Sequence, residues 1–143
     1  MYLVAVLDNE CYPERAHFTD AGLDLVAREE VTLLPTEAKG VKMGIKVEIP
    51  PGYVGLIFPR SGLATKKRIT LTNTVGVIDA DYRGEIICHV INNGSFQYTV
   101  HRGDRIAQLV VLPCLIGDIF TVQESDLSNT ERGENGFGHT GGN

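Results

Sequence analysis

The chain reads as an all-β protein, closed into a barrel or packed as a sandwich. Three observations carry that expectation. Apolar residues alternate without a miss at Val41, Met43, Ile45, Val47 and Ile49, the period of a half-buried strand. Short apolar runs recur along the chain, separated by clusters of Pro, Gly, Asn and Asp that make turns. No helical period runs beyond about ten residues, and no internal repeat is visible. Many short strands joined by turns bury their apolar faces as a barrel or a sandwich.

Taken in order, residues 1–12 form an opening strand and Pro13 to Asp20 is polar and irregular. In Thr19 to Leu25 small residues permit a tight backbone path, and Asp24 stands between two leucines. Such an acid is either exposed on the opposite strand face or placed deliberately. Val31 to Leu34 is a strand ended by Pro35. The alternating run 41–49 is the clearest strand, Pro50-Pro51-Gly52 turns the chain, and Tyr53 to Phe58 is the next strand.

Pro59 to Ala64 then combines Arg60, Ser61 and Gly62 just before a possible short helix. Ser61 can cap, free amides point outward at a helix start and Arg60 supplies a forked donor, so the segment can hold an anion. Lys66, Lys67 and Arg68 read as a solvated basic loop.

Asn73 to Glu85 is the stretch with the most chemistry. An apolar run, Val75, Val77 and Ile78, is interrupted by Gly76 and followed by Asp79, Asp81, Tyr82 and Arg83 before apolar residues resume at Ile86. It reads as a β-hairpin with a polar tip, and Gly76 marks a bulge or a close backbone approach. Glu85 to Asn92 is strand, Asn93-Gly94 is a hairpin signal and Phe96 to Val100 returns. His101 to Asp104 is a turn. Arg105 to Leu112 is a strand with Gln108 as a lone amide, either satisfied by backbone or reserved for a ligand. Ile119 to Val122 is the last strand. From Arg132 to Asn143 the chain has five glycines and one aromatic, a composition that predicts a mobile tail, and Phe137 predicts that it closes on a flat partner.

At 143 residues, with 43% hydrophobic and 22% charged residues, the chain is long enough for one domain with its own core. The net charge of -5 leaves no basic stripe for nucleic acid. Met1 to Leu7 lacks the basic flank and length of a signal peptide, and no stretch approaches membrane length. Cys11, Cys88 and Cys114, odd in number and widely spaced, suit reduced thiols in a cytosol-like compartment.

Five clusters in order resemble the five motifs of the trimeric dUTPase family: Ala21-Gly22-Leu23-Asp24-Leu25, Pro59 to Ala64, Gly76 to Glu85, Arg105 to Val110, and Arg132-Gly133-x-x-Gly136-Phe137-Gly138-x-Thr140-Gly141. The resemblance implies a jelly-roll-like β-barrel over residues 1–130, with 131–143 as a flexible arm of the same domain, assembled as a homotrimer with sites between subunits. It implies hydrolysis of dUTP to dUMP and pyrophosphate with Mg2+, which lowers dUTP and supplies dUMP for dTMP synthesis. Neither nucleic acid nor a membrane is an expected partner, and the expected location is the cytoplasm or a similar reducing compartment, the host's if the source is viral.

Residue by residue, Asp79 resembles the group that binds the 3′-hydroxyl and orients the attacking water. Asn73, with backbone from Gly76, Val77 and Ile78, resembles the uracil slot, and Tyr82 the residue that packs on deoxyribose. Arg60, Ser61, Gly62 and Gln108 resemble the phosphate-binding set, and Asp24 the acid that reaches magnesium through water. Phe137 would stack on uracil, with Arg132, Gly138, His139 and Thr140 on the outer phosphates. Two departures stand out: His139 occupies a usual serine position, and Glu134-Asn135 brings an acid where small residues are common. The alternatives are a dCTP deaminase-like enzyme, in which a glutamate acts on the base, and a dUTP-binding regulator without need of turnover.

Overall fold

The computed structural model of the chain describes residues 1–134. Eleven strands run β1 Leu3–Val6, β2 Leu23–Val26, β3 Val31–Leu33, β4 Ala38–Lys42, β5 Ile45–Glu48, β6 Tyr53–Pro59, β7 Ile69–Leu71, β8 Gly76–Ile78, β9 Ile87–Asn92, β10 Tyr98–Val100 and β11 Arg105–Pro113. One helix, α1, spans Ser61–Lys67, and a single 3-10 turn covers Glu124–Asp126. The strands form a four-stranded sheet ordered β2-β11-β6-β8, a three-stranded sheet β4-β9-β7, and two pairs, β1-β5 and β10-β3. Every pairing is antiparallel. All-β architecture is therefore as expected from the alternation.

The core joins the sheets: Leu25, Ile57 and Leu109 from one, Val41, Leu71 and Val90 from the other, with Met43, Ile45 and Val47 between them. All five alternating residues from Val41 to Ile49 are buried, as their period demands. They do not form one strand, however. The chain turns a corner at Gly44, with φ +65, so β4 joins one sheet and β5 pairs with β1. A Cβ at Gly44 would lie 2.8 Å from the Cβ of Cys11, so the corner requires glycine for space as well as for conformation.

Three further expectations are corrected. Strands β8 and β9 are not a hairpin: β8 pairs with β6 and β9 with β4 and β7. Asn93-Gly94 does not close a hairpin either, because β10 pairs with β3, while Asn93 N–H donates to Arg68 O. Ile119 to Val122 is exposed coil, and everything from Leu112 to Glu134 is exposed. In the first two cases the pattern is right about strand or turn and silent about which partner supplies the ladder, and in the third the apolar run has no ladder partner among the described residues.

Gly76 is not a bulge. It sits in regular register opposite Ile57, where a Cβ would come within 3.3 Å of both the Ile57 Cβ and the Asn73 amide. The bulge lies instead in β11, between Arg105 and Ala107 against β2. Ile106 and Ala107 consequently both face the core, and Arg105 and Gln108 stay on the outer side of the sheet.

Cys11, Cys88 and Cys114 are free thiols, the first two buried. Burial pushes the Cys88 thiol up to about 12, which makes it a core residue rather than a nucleophile. No described helix is long and apolar enough to cross a membrane.

The turn after β3 carries avoidable strain. Thr36, following Pro35, holds φ 65 in a turn closed by Glu37 N–H to Leu34 O at 3.0 Å. A β-branched residue is disfavoured at positive φ, where Gly or Asn fits. Thr36→Gly is expected to raise unfolding free energy by about 1 kcal/mol, measured as a higher urea midpoint at unchanged slope. A lower midpoint would mean that the threonine side chain compensates for the backbone.

Candidate functional site

The four-stranded sheet brings distant segments together at one end. In β11, Gln108 stands opposite Asp24 of β2 on one side and Phe58 of β6 on the other. Directly beyond β6 the chain enters α1. As a result Asp24, Arg60, Ser61, Gly62 and Gln108, drawn from three of the sequence clusters, line one open cleft of about 610 Å³ with Gly22, Lys66 and Lys67.

Asp24 is placed deliberately. Its carboxylate is 15% exposed and lies between Arg60 Nε at 3.2 Å and Arg105 Nη1 at 3.4 Å. Arg60 also donates from Nη1 to Arg105 O at 2.9 Å. The fork of Arg60 is thereby aimed by Asp24 and the β11 backbone, with donors to spare for an anion. Arg105 opens the fourth sequence cluster, and the sequence alone points to no role for it. The signal that could have found it is a cation three residues before a lone amide, which becomes meaningful only once the bulge at Ile106 puts both on the outer face.

Gln108 donates from Nε2 to Pro59 O at 3.2 Å, so backbone satisfies its amide nitrogen, and a Cβ on Gly22 would overlap its Oε1. Gly22 leaves the space in which the amide lies across the cleft. Ser61 does not cap α1. The N-cap is Arg60, without a side-chain cap bond, and Ser61 is the first helical residue. The first amides of α1 therefore remain available to an anion. Lys66 and Lys67 belong to the last turn of α1 rather than to a loop, and they rim the cleft.

The second group of candidates is elsewhere. Val77, Ile78, Asp79 and Tyr82 line a separate cleft of about 310 Å³ with Ile86, Ile87 and His89. The two clefts have no lining residue in common. Asp79 is exposed, and among the described residues its carboxylate has no hydrogen-bond or ion-pair partner; only its carbonyl is engaged, by Tyr82 N–H at 3.2 Å. Tyr82 folds back so that its hydroxyl donates to Glu85 O at 3.0 Å. Asn73 and Gly76 do not line this cleft; they meet each other at the start of β8. His89 shares β9 with Ile87, and the sequence does not mark it because a single histidine in a strand carries no pattern.

Among the described residues no three His, Cys, Asp or Glu side chains converge to hold a metal ion. Asp24 is one carboxylate between two guanidiniums. A set of that kind fits a magnesium ion that keeps waters and is carried chiefly by phosphate oxygens, and does not fit an all-protein cage. Arg132 is described and exposed, whereas Phe137, Gly138, His139 and Thr140 lie outside the described residues.

The chain is similar to known proteins in sequence and in fold. The family model described as dUTPase matches residues 9–141. The chain is 50% identical over 129 residues to the deoxyuridine 5'-triphosphate nucleotidohydrolase of Clostridium novyi (strain NT), covering 90% of this chain and 89% of that one. It is 45% identical over 139 residues to that of Crocosphaera subtropica (strain ATCC 51142 / BH68), covering 97% and 96%. Among solved structures, Staphylococcus bacteriophage 80alpha dUTPase with dUPNHPP superposes with a TM-score of 0.89 at 33% identity, over 99% of this chain and 98% of that one. A mutant dUTPase from phage phi11 of S. aureus, described for its coordination of a structural Mg(II) ion, gives 0.81 at 30% identity, over 89% and 99%.

Proposed function

The chain belongs to the dUTPase family, and from that premise we propose how its own residues carry out the reaction. It is a dUTP pyrophosphohydrolase, converting dUTP to dUMP and pyrophosphate. The observation that carries the residue assignment is the gathering of Asp24, Arg60, Ser61, Gly62 and Gln108 in one cleft. Arg60, the first amides of α1 and Gln108 bind the triphosphate there, with Lys66 and Lys67 adding positive charge. Asp24, which holds Arg60 and Arg105 in place, is the residue that would hold a hydrated Mg2+ here, and the ion would supply charge neutralisation for the leaving pyrophosphate.

The other cleft takes the nucleoside. Backbone of Val77 and Ile78 in that cleft, with Gly76 and Asn73 beside it at the start of β8, reads the uracil edge in a slot that excludes a 5-methyl group, and Tyr82 packs on the deoxyribose where a 2′-hydroxyl would clash. Asp79 accepts the 3′-hydroxyl and orients a water toward the α-phosphorus. A P–O bond forms from that water, the bridging bond to the β-phosphate breaks, and the water proton passes to Asp79.

The separation of the two clefts within one chain supports a site completed by a second protomer that brings its nucleoside cleft against the phosphate cleft. Residues 115–127 favour such an assembly: Leu115, Ile116, Ile119, Phe120, Val122 and Leu127 are all exposed, between 55% and 98%. So much apolar surface on one extended segment marks a subunit contact. We take the assembly to be a homotrimer, with residues 131–143 closing over the nucleotide: Phe137 on uracil, and Arg132, Gly138, His139 and Thr140 on phosphate. The reduced thiols fit a cytoplasmic location.

The test is pyrophosphate release from dUTP, dCTP, dTTP and UTP, each with and without magnesium. Release from dUTP alone, dependent on magnesium, is expected. Comparable release from dTTP would refute the slot, and from UTP the role of Tyr82. Ammonia from dCTP would select the deaminase chemistry, and tight dUTP binding without product the regulator.

A further inference from the structure

The turn that carries Asp79 and Tyr82 is held by few bonds to the rest of the barrel. Inside the turn, Tyr82 N–H donates to Asp79 O at 3.2 Å, and Arg83 Nη1 to Ala80 O at 2.7 Å and to Tyr82 O at 3.0 Å. All of these are internal and set its shape without fixing where it points. Outward, Arg83 reaches Glu48 only at 4.0 Å, with both side chains more than half exposed, a contact of little energetic weight.

Glu85 is different. Its carboxylate, 18% exposed, accepts the Gly44 N–H at 3.0 Å and faces Arg28 Nη1 at 3.3 and 3.4 Å. Gly44 is the corner between β4 and β5, and its carbonyl receives Leu7 N–H at 2.7 Å. Arg28 lies between two shielded acids, with Asp8 at 3.6 Å on the other side. Arg102 fastens that group further through Asp8 at 2.7 Å, Glu10 at 2.7 Å and Arg28 O at 2.9 Å.

The carbonyl of the same Glu85 receives the Tyr82 hydroxyl at 3.0 Å, and the Tyr82 ring lies so close over Gly84 that a Cβ there would overlap the phenol. We propose that Glu85 is a positioning residue: it pins the Asp79–Gly84 turn to the barrel corner at Gly44 and Arg28, and thereby sets where Tyr82 stands in the nucleoside cleft. One residue later the backbone is already fixed, by Ile86 N–H to Ile45 O at 2.9 Å and Met43 N–H to Ile86 O at 2.9 Å. At the other end of the turn Ile78 pairs with Gly55 of β6; what the two anchors leave free is the path of the turn between them, and the Glu85 side chain ties that path to the corner. The consequence is ribose discrimination controlled from a residue that touches no substrate. This inference rests on the reading of Tyr82 as the sugar-facing residue.

The experiment compares kcat/KM for dUTP and UTP in the wild type, Tyr82→Ala, Glu85→Ala and Glu85→Gln, with the ring of Tyr82 followed by 19F NMR of fluorotyrosine-labelled protein, its resonance assigned with Tyr82→Phe. In Glu85→Ala the preference for dUTP is expected to fall by about tenfold or more, and the Tyr82 resonance to shift or broaden. Glu85→Gln keeps an acceptor for the Gly44 N–H and should recover most of both. If Tyr82→Ala loses the preference while Glu85→Ala keeps it, whatever happens to its melting temperature, the positioning role is overturned and the sugar reading stands. If Tyr82→Ala itself keeps the preference, the sugar reading fails. The resonance then decides alone: unmoved in Glu85→Ala it overturns the pin, displaced it supports it. Should Glu85→Ala fail to fold, Arg28→Met, which leaves Glu85 and Gly44 in place, is judged by the same two readouts.

Discussion

Asp79→Asn is expected to lower kcat on dUTP by about a hundred- to ten-thousand-fold, equivalent to roughly 3–5 kcal/mol of transition-state stabilisation. KM should stay within about threefold. The expected split follows from the surroundings of the side chain. Asp79 is exposed at the mouth of the nucleoside cleft, and its carboxylate has no partner among the described residues, so no fold contact is lost with the charge. An amide of the same shape still accepts from a 3′-hydroxyl but does not take a proton from water. The check is steady-state kinetics beside calorimetric binding of a non-hydrolysable dUTP analogue and a melting curve. Near wild-type turnover in the Asn variant would place the base elsewhere. Loss of binding together with turnover would make Asp79 a ligand for the sugar and no more.

Removal of residues 132–143 is the second change with a large expected effect. Among the described residues the hydrophobic core draws on nothing beyond Leu109, with Val111 as the last residue packed against it. Truncation after Glu131 should therefore leave the barrel folded with an unchanged melting temperature, while kcat/KM falls by at least about a hundredfold through loss of phosphate contacts and of closure over the nucleotide. Truncation after Pro113 goes further. It strips the exposed apolar segment from Leu115 to Leu127, so the assembly itself should come apart, seen as a smaller mass in light scattering. An undiminished rate in the shorter truncation would sink the lid, and unfolding would show that the arm contributes to the barrel. An intact assembly after the longer one would remove residues 115–127 from the interface.

Where the sequence was legible, the reason is local chemistry. The alternation from Val41 to Ile49 identified five buried residues correctly, because burial on a pleated surface depends only on side-chain parity. Gly44 was invisible within that run, since a corner between two sheets keeps the parity and changes only the partner. Asn93-Gly94 looked like a two-residue hairpin, but Asn92, the one buried polar residue among those described, claims the region: its Nδ2 donates to Leu33 O at 3.1 Å and Phe96 O at 2.8 Å, and its Oδ1 accepts Gly94 N–H at 2.9 Å. Those contacts steer the chain away from β9 and toward β3. Ile119 to Val122 reads as a strand in the sequence because apolar content alone cannot tell a barrel strand from an exposed apolar coil.

The candidate site divides along the same line. By itself the sequence determined the family and the all-β architecture, and it singled out Asp24, Arg60, Gln108, Asp79 and Tyr82 as candidates, because spacing within a motif is written in consecutive residues. Only the tertiary structure decided that Asp24 is held between Arg60 and Arg105, that a bulge at Ile106 turns Arg105 and Gln108 to one face, and that the two candidate clefts lie apart in the chain. It alone tied the Tyr82 turn to Gly44 through Glu85. These are contacts between residues tens of positions apart, fixed by strand register and sheet partner, and register is set by the sum of packing over the whole barrel rather than by any stretch of the chain.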